Sequence, residues 1–197
     1  MANNLSEVYE AAYKYALDEI AKYGLPSLVH LYLSLDKGTQ IANNLNCDNY
    51  LVRIGICLMD LKLGEAFKKN EQNKHVEYSL KAAKEFLERF DILPKQKEIL
   101  LNTIAAHHKA VPFISIESEI CANADCYRFM HPLGVFYYLV TLGKRDMAPL
   151  QILEAAESKL DEKLNILSLD YCKKELMDSY HAFKQLFQAA KQELDRF

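Results

Sequence analysis

The stretch Ile54-Gly55-Ile56-Cys57-Leu58-Met59-Asp60-Leu61 decides how this chain folds. It is apolar almost throughout, and with Leu51 and Val52 just upstream it predicts a helix over about 49–61 that is apolar nearly all round. Such a helix belongs at the centre of a fold. Asp48, in the turn Asn46-Cys47-Asp48, is its natural N-cap. The run ends by delivering one carboxylate, Asp60, into the interior, where an isolated charge is costly unless a cation meets it.

Outward from that helix the chain reads as further helices. Upstream, apolar residues at helical spacing (Val8, Ala12, Ala16, Ile20) predict a helix over 5–23 that Gly24-Leu25-Pro26 stops. Ser27 then caps a second one reaching about residue 44, with His30 in its first turn and Gly38 as a weak point in the middle. Downstream, a polar linker over 68–74 leads to a helix over 75–90, and Pro94 opens the next, which runs to His107-His108.

Val111-Pro112 is extended, and Ser115 with Ser118-Glu119 marks a capped restart into a helix carrying Ile120, Ala124, Asp125 and Tyr127. Pro132 begins a very apolar helix to Leu142, whose aromatic residues and those just before it, from Phe129 to Tyr138, read as core. Asp146 is expected to cap a helix to about residue 164, and Ser168 a last long one towards Arg196. The expectation is all-α: about nine helices, one domain over 1–197, a ligand-bearing core over about 27–130 and C-terminal helices over about 146–196. Those last helices form either a hairpin on the front half or the surface of a homodimer.

The bulk numbers agree and exclude several classes. Of 197 residues half are apolar and a quarter charged, with six Gly and five Pro, which suits a helix-rich chain. The net charge is −3, and Lys and Arg are interspersed with Asp and Glu, so no footprint for nucleic acid exists. Five cysteines without a CxxC pair read as small hydrophobes in a reducing cytoplasm rather than as a disulfide framework. The opening Met1-Ala2-Asn3-Asn4 leads into an acidic amphipathic segment unlike a signal peptide, and the longest apolar run is half a membrane span. A cytoplasmic protein with no membrane partner is expected.

Candidate chemistry comes from a set, since any single histidine reads as structural. His30, Asp60, His75, His107 or His108, and Asp125 fall on different helices that face a common core, and they combine imidazole nitrogens with carboxylate oxygens. Those donors suit a divalent metal ion: Mn, Fe, Ni, Co or Zn, with Mg on the carboxylate side. In this order and spacing, and in local texts such as Val29-His30-Leu31, His75-Val76-Glu77-Tyr78-Ser79, Ile104-Ala105-Ala106-His107-His108 and Asn123-Ala124-Asp125, the chain resembles the HD-domain superfamily of metal-dependent phosphohydrolases over about 27–130.

The resemblance implies a helical bundle in which His30, Asp60 and Asp125 hold one ion while His75 and His107, with His108 as neighbour, hold others. Adjacent helical residues point about 100° apart, so His107 and His108 both serve only near a helix end or on different ions. The implied function is hydrolysis of a small phosphoester, a nucleotide among the candidates. Asp60 is then the catalytic carboxylate that orients water, and Lys109 and Arg128 are cations for the substrate phosphate.

The chain also departs from the family. Met59 stands where the motif has its second histidine, and a thioether is a poor donor for such ions. Where many members continue into Ile-Gly-Lys, this chain has Leu61-Lys62-Leu63-Gly64-Glu65. Three ligands still suffice for a catalytic metal, so the first metal site is expected to be weakened. The alternative is a catalytically impaired binding or regulatory protein of the same fold.

Overall fold

The computed structural model describes residues 5–194 and 196; the opening residues 1–4 discussed above lie outside them. Ten α-helices make up the architecture, without a strand among the described residues: α1 Leu5–Tyr23, α2 Leu28–Leu45, α3 Asn49–Met59, α4 Leu63–Lys68, α5 His75–Leu87, α6 Pro94–Ala106, α7 Ile116–Met130, α8 Pro132–Gly143, α9 Pro149–Ile166 and α10 Asp170–Leu194. The nine expected helices are present. The tenth, α4, lies between the helix expected over 49–61 and the polar linker over 68–74, where the sequence predicts no element, and a 3₁₀ turn over Gln72–Lys74 falls within that linker. No helix among the described residues is long and apolar enough to cross a membrane.

Several starts follow from local chemistry. Asp48 accepts hydrogen bonds from the Tyr50 and Leu51 amides at 2.9 and 3.2 Å, Ser27 from His30 N, and Ser115 from Ser118 N, each satisfying an amide that a helix N-terminus leaves unpaired. Two expected caps differ. Asp146 sits in a turn at φ 55°, and α9 starts after Ala148, whose amide donates to the Gln151 side chain. Ser168 is claimed by Asn123 rather than by α10: Asn123 Oδ1 accepts from the Ser168 and Leu169 amides, and its Nδ2 donates to Ser168 Oγ at 2.8 Å. A fully buried amide on α7 thereby pins the α9–α10 corner.

The centre is α3, as its sequence requires, packed against α1, α2, α6 and α7, with Val52, Ile54 and Leu58 fully buried. Helix α2 runs unbroken through Gly38, and a Cβ there would lie 2.4 Å from Ile56 Cδ1, so the bare backbone lets α2 approach α3. Helix α7 is the second axis, in contact with α2, α6, α8, α9 and α10. The C-terminal helices thus form a hairpin whose two arms both reach α7. Helix α8 is less buried than its composition suggests: Gly134, Val135 and Leu142 face inward, while Phe136, Tyr137 and Val140 are exposed.

At the α7–α8 corner, His30 donates from Nε2 to Gly134 O at 3.0 Å and packs against Phe129 and Tyr138. Burial, followed by the nearby Arg128 charge, lowers the His30 pKa to about 4. The ring is therefore neutral in the folded protein at neutral pH.

Two predictions follow. A Cβ on Gly134 would sit 2.5 to 2.6 Å from the Arg128 and Tyr127 carbonyl oxygens, whereas one on Gly143 meets nothing within 4 Å. Gly134→Ala should cost about 1–3 kcal/mol, a fall of a few degrees in Tm for a chain of this size, while Gly143→Ala should be neutral or raise stability by up to about 1 kcal/mol; thermal unfolding checks both. For His30 the sign is fixed by its lowered pKa: the unfolded chain takes up its proton near pH 6.5 and the folded chain does not until about pH 4. Stability should fall through that window as pH drops, by on the order of 2–3 kcal/mol, and His30→Gln should flatten the slope in denaturant titrations.

Candidate functional site

Helix α3 stops one residue before Asp60, which takes φ −115° as its C-cap and turns a buried carboxylate away from the apolar face. Helix α6 likewise stops at Ala106, and Lys109 reverses the chain at φ 60°. His107 is the C-cap, still at a helical φ of −63°, and His108 lies in the turn beyond it, where its ring comes beside that of His107 with centroids 4.1 Å apart. His75 opens α5 from the far side.

The three imidazoles meet. His75 Nε2 is 3.1 Å from His108 Nε2, and one nitrogen from each of His75, His107 and His108 lies within 4.8 Å of the other two. Asp60 Oδ1 stands 3.5 Å from both His75 Nε2 and His107 Nε2. The opposite ring nitrogens are all engaged: His75 Nδ1 donates to Gln72 O at 2.7 Å, His107 Nδ1 to Ile104 O at 2.8 Å, and His108 Nδ1 to Glu162 Oε1 at 3.2 Å. Lys163 Nζ also lies 3.5 Å from His108 Nδ1, but its shorter bond is elsewhere, to Asp125.

Carbonyl and carboxylate oxygens only accept, so each Nδ1 carries a proton and Nε2 is the nitrogen left to act as a ligand. Three Nε2 atoms and a carboxylate oxygen thus gather in one place. His107 Nε2 is buried with no hydrogen-bond partner among the described residues. Burial lowers the His108 pKa against the opposing pull of Glu162, favouring the neutral, ligating form. Three separations, 3.1 Å between His75 and His108 and 3.5 Å from Asp60 Oδ1 to His75 and to His107, lie close to the edge of about 3.4 Å of a tetrahedron with bonds of about 2.1 Å, and the donor types suit a divalent ion.

The second set is arranged differently. His30 lies on α2 and spends Nε2 on Gly134 O. Asp125 is buried on α7, its Oδ1 accepting from Arg128 Nη1 at 2.7 Å and its Oδ2 from Lys163 Nζ at 2.6 Å. Arg128 Nη1 also donates to Asp60 Oδ2. Burial raises both carboxyl pKa values, but the cations prevail: Arg128 holds Asp60 well below the usual carboxylate range, and Lys163 with Arg128 does the same for Asp125. Met59 is buried in the apolar core.

These groups line a cavity of about 310 Å³ whose wall includes His30, Asp60, His75, His108, Asp125, Arg128 and Lys163, with Leu63, Phe67, Phe129 and Tyr138 as apolar surface. Lys159 and Arg145 also line it. Arg145 stacks over Phe67 and makes no ion pair with a carboxylate among the described residues. Lys109 is exposed, bonded to Asn165 O at 3.0 Å, and lines a separate hollow that shares His75 and His108 with the first.

Sequence reading missed Lys163, Glu162, Lys159 and Arg145, all beyond residue 130. Only Lys163 carried a signal: it continues the apolar stripe Ala156, Leu160 on α9, a position where an unpaired lysine would be costly. The carboxylate that reaches a candidate ligand is Glu162, which accepts from His108 Nδ1.

No protein-family model matches this chain, and no curated protein matches it. Among solved structures it is similar to the crystal structure of a predicted HD superfamily hydrolase from an uncultured Thermotogales bacterium, with a TM-score of 0.64, 17% sequence identity, and 98% of this chain and 99% of that one covered. The correspondence includes the C-terminal hairpin as well as the helices that precede it. The chain therefore has an HD-domain fold.

Proposed function

We propose that the protein is a metal-dependent phosphohydrolase of HD type, acting on a small phosphoester such as a nucleotide, with its ion held by His75, His107 and His108. One observation carries this reading: three imidazoles, each with Nδ1 bonded to an oxygen, bring one nitrogen apiece within 4.8 Å of one another, and Asp60 Oδ1 stands 3.5 Å from two of them. Such bonds behind a ligand histidine set its tautomer and raise its basicity. An imidazole-rich set suits Zn, Ni, Co, Fe or Mn better than Mg, which prefers oxygen. When bound, the ion supplies Lewis-acid polarisation of a phosphoryl oxygen and lowers the pKa of water.

The chain's own residues do the rest. Asp60, kept ionised by Arg128, accepts a hydrogen bond at Oδ1 and so orients water, though its lowered pKa makes it a weak base. Arg145 and Lys159 offer positive charge to a substrate phosphate, while Phe67, Phe129 and Tyr138 offer apolar surface to the remainder. The neutralisation of Asp60 and Asp125 by Arg128 and Lys163 favours a second reading, a pocket that binds a phosphorylated ligand without turning it over.

Chelator-stripped protein, reloaded with Mn, Co, Ni or Zn, should bind an ion and hydrolyse members of a phosphoester and nucleotide panel. His75→Ala and His107→Ala should each lower metal affinity at least about 10- to 100-fold. Ion binding without turnover would select the second reading; no binding under any loading would contradict both the metal site and the hydrolase. Arg145→Ala should raise KM about 10-fold or more while changing kcat less, since it removes a charged contact remote from the ion; an unchanged KM would remove Arg145 from the substrate site.

A further inference from the structure

Beside the histidine cluster lies a second position that demands positive charge, and the chain meets that demand with its own side chains. Asp60 and Asp125 are both buried, and one nitrogen of Arg128 bridges them. Lys163, fully buried, binds the remaining oxygen of Asp125. Two carboxylates and two permanent cations sum to zero. A divalent ion placed among the same oxygens would meet a neutral cluster whose guanidinium and ammonium already hold them. Both carboxylates would exchange bonds with those cations for bonds to the ion, leaving Arg128 and Lys163 buried beside a like charge.

His30, the other member of that set, donates Nε2–H to a carbonyl, so its lone pair there is unavailable. Met59 adds a thioether, a weak donor for hard ions.

We propose that Arg128 and Lys163 are a built-in replacement for the metal ion that His30, Asp60 and Asp125 would otherwise hold, so that an ion binds this chain only at the histidine cluster. Asp60 is then kept ionised and oriented by covalently attached charge, whatever the metal supply. The inference rests on the carboxylates and their partners, and it does not require the chain to be a hydrolase.

Anomalous diffraction from crystals grown with Mn, together with Mn content per chain, tests it. The wild type should show no ion within bonding distance of Asp125. Arg128→Met leaves the two carboxylates with one cation between them, and it should take up one more Mn per chain than the wild type, with a larger Mn-dependent rise in Tm. If Arg128→Met does not fold, Lys163→Met makes the same comparison. An anomalous peak between Asp60 and Asp125 in the wild type overturns the proposal, as does a folded variant that takes up no additional Mn. A wild type with no ion anywhere supports this inference while counting against the hydrolase reading.

Discussion

The interaction on which the interior depends is the buried charge cluster of Asp60, Arg128, Asp125 and Lys163. It ties the end of α3 to α7, and α7 to α9, at the point where these helices surround the cavity. Its net contribution to stability is small, because desolvating four charges offsets most of their attraction, but removing one member leaves a buried charge alone and costs about 3–5 kcal/mol. The cluster therefore acts as a constraint on arrangement. Once Asp60 Oδ2 is fixed by Arg128, Oδ1 is left facing His75 and His107, and the place of the candidate ligands follows from that division of one carboxylate between two neighbours.

The same division gives the site two different halves. On one side, protein cations saturate the carboxylates. On the other, imidazole nitrogens and one oxygen gather with no lysine or arginine between them. Such a cluster is held together by a proton or a positive ion shared among its members. The cavity joins these halves: a phosphorylated molecule entering it would meet the histidine cluster, the free charge of Arg145 and an aromatic wall together.

Much of this was legible in the sequence. Asp48, Ser27 and Ser115 announce helix starts because capping is local, and the apolar run before Asp60 announces a central helix because burial leaves a pattern. The grouping of His75 and His107, with His108 as neighbour, was implied by a resemblance; what sets the two neighbours side by side is the turn that ends α6, a boundary that pattern does not fix. Lys163 was harder to read, since its partner Asp125 lies 38 residues earlier and the contact exists only after the hairpin packs on α7. Arg128 stands three residues from Asp125 on one helical face, yet sequence assigned it to substrate; the structure gives its Nη1 to two carboxylates instead. Met59, on which the sequence rests the weakening of the first set, lies in the buried core, while the structure adds Arg128 and Lys163 on the oxygens of Asp60 and Asp125.

The most direct test of the account is X-ray absorption by Co- or Zn-loaded protein, which reads the donors around the ion without requiring a substrate. The account predicts an imidazole-dominated shell at about 2.0–2.1 Å, with outer-ring scattering from three histidines that falls by one ring in His108→Ala. An all-oxygen shell, or a spectrum indifferent to His108, would contradict it.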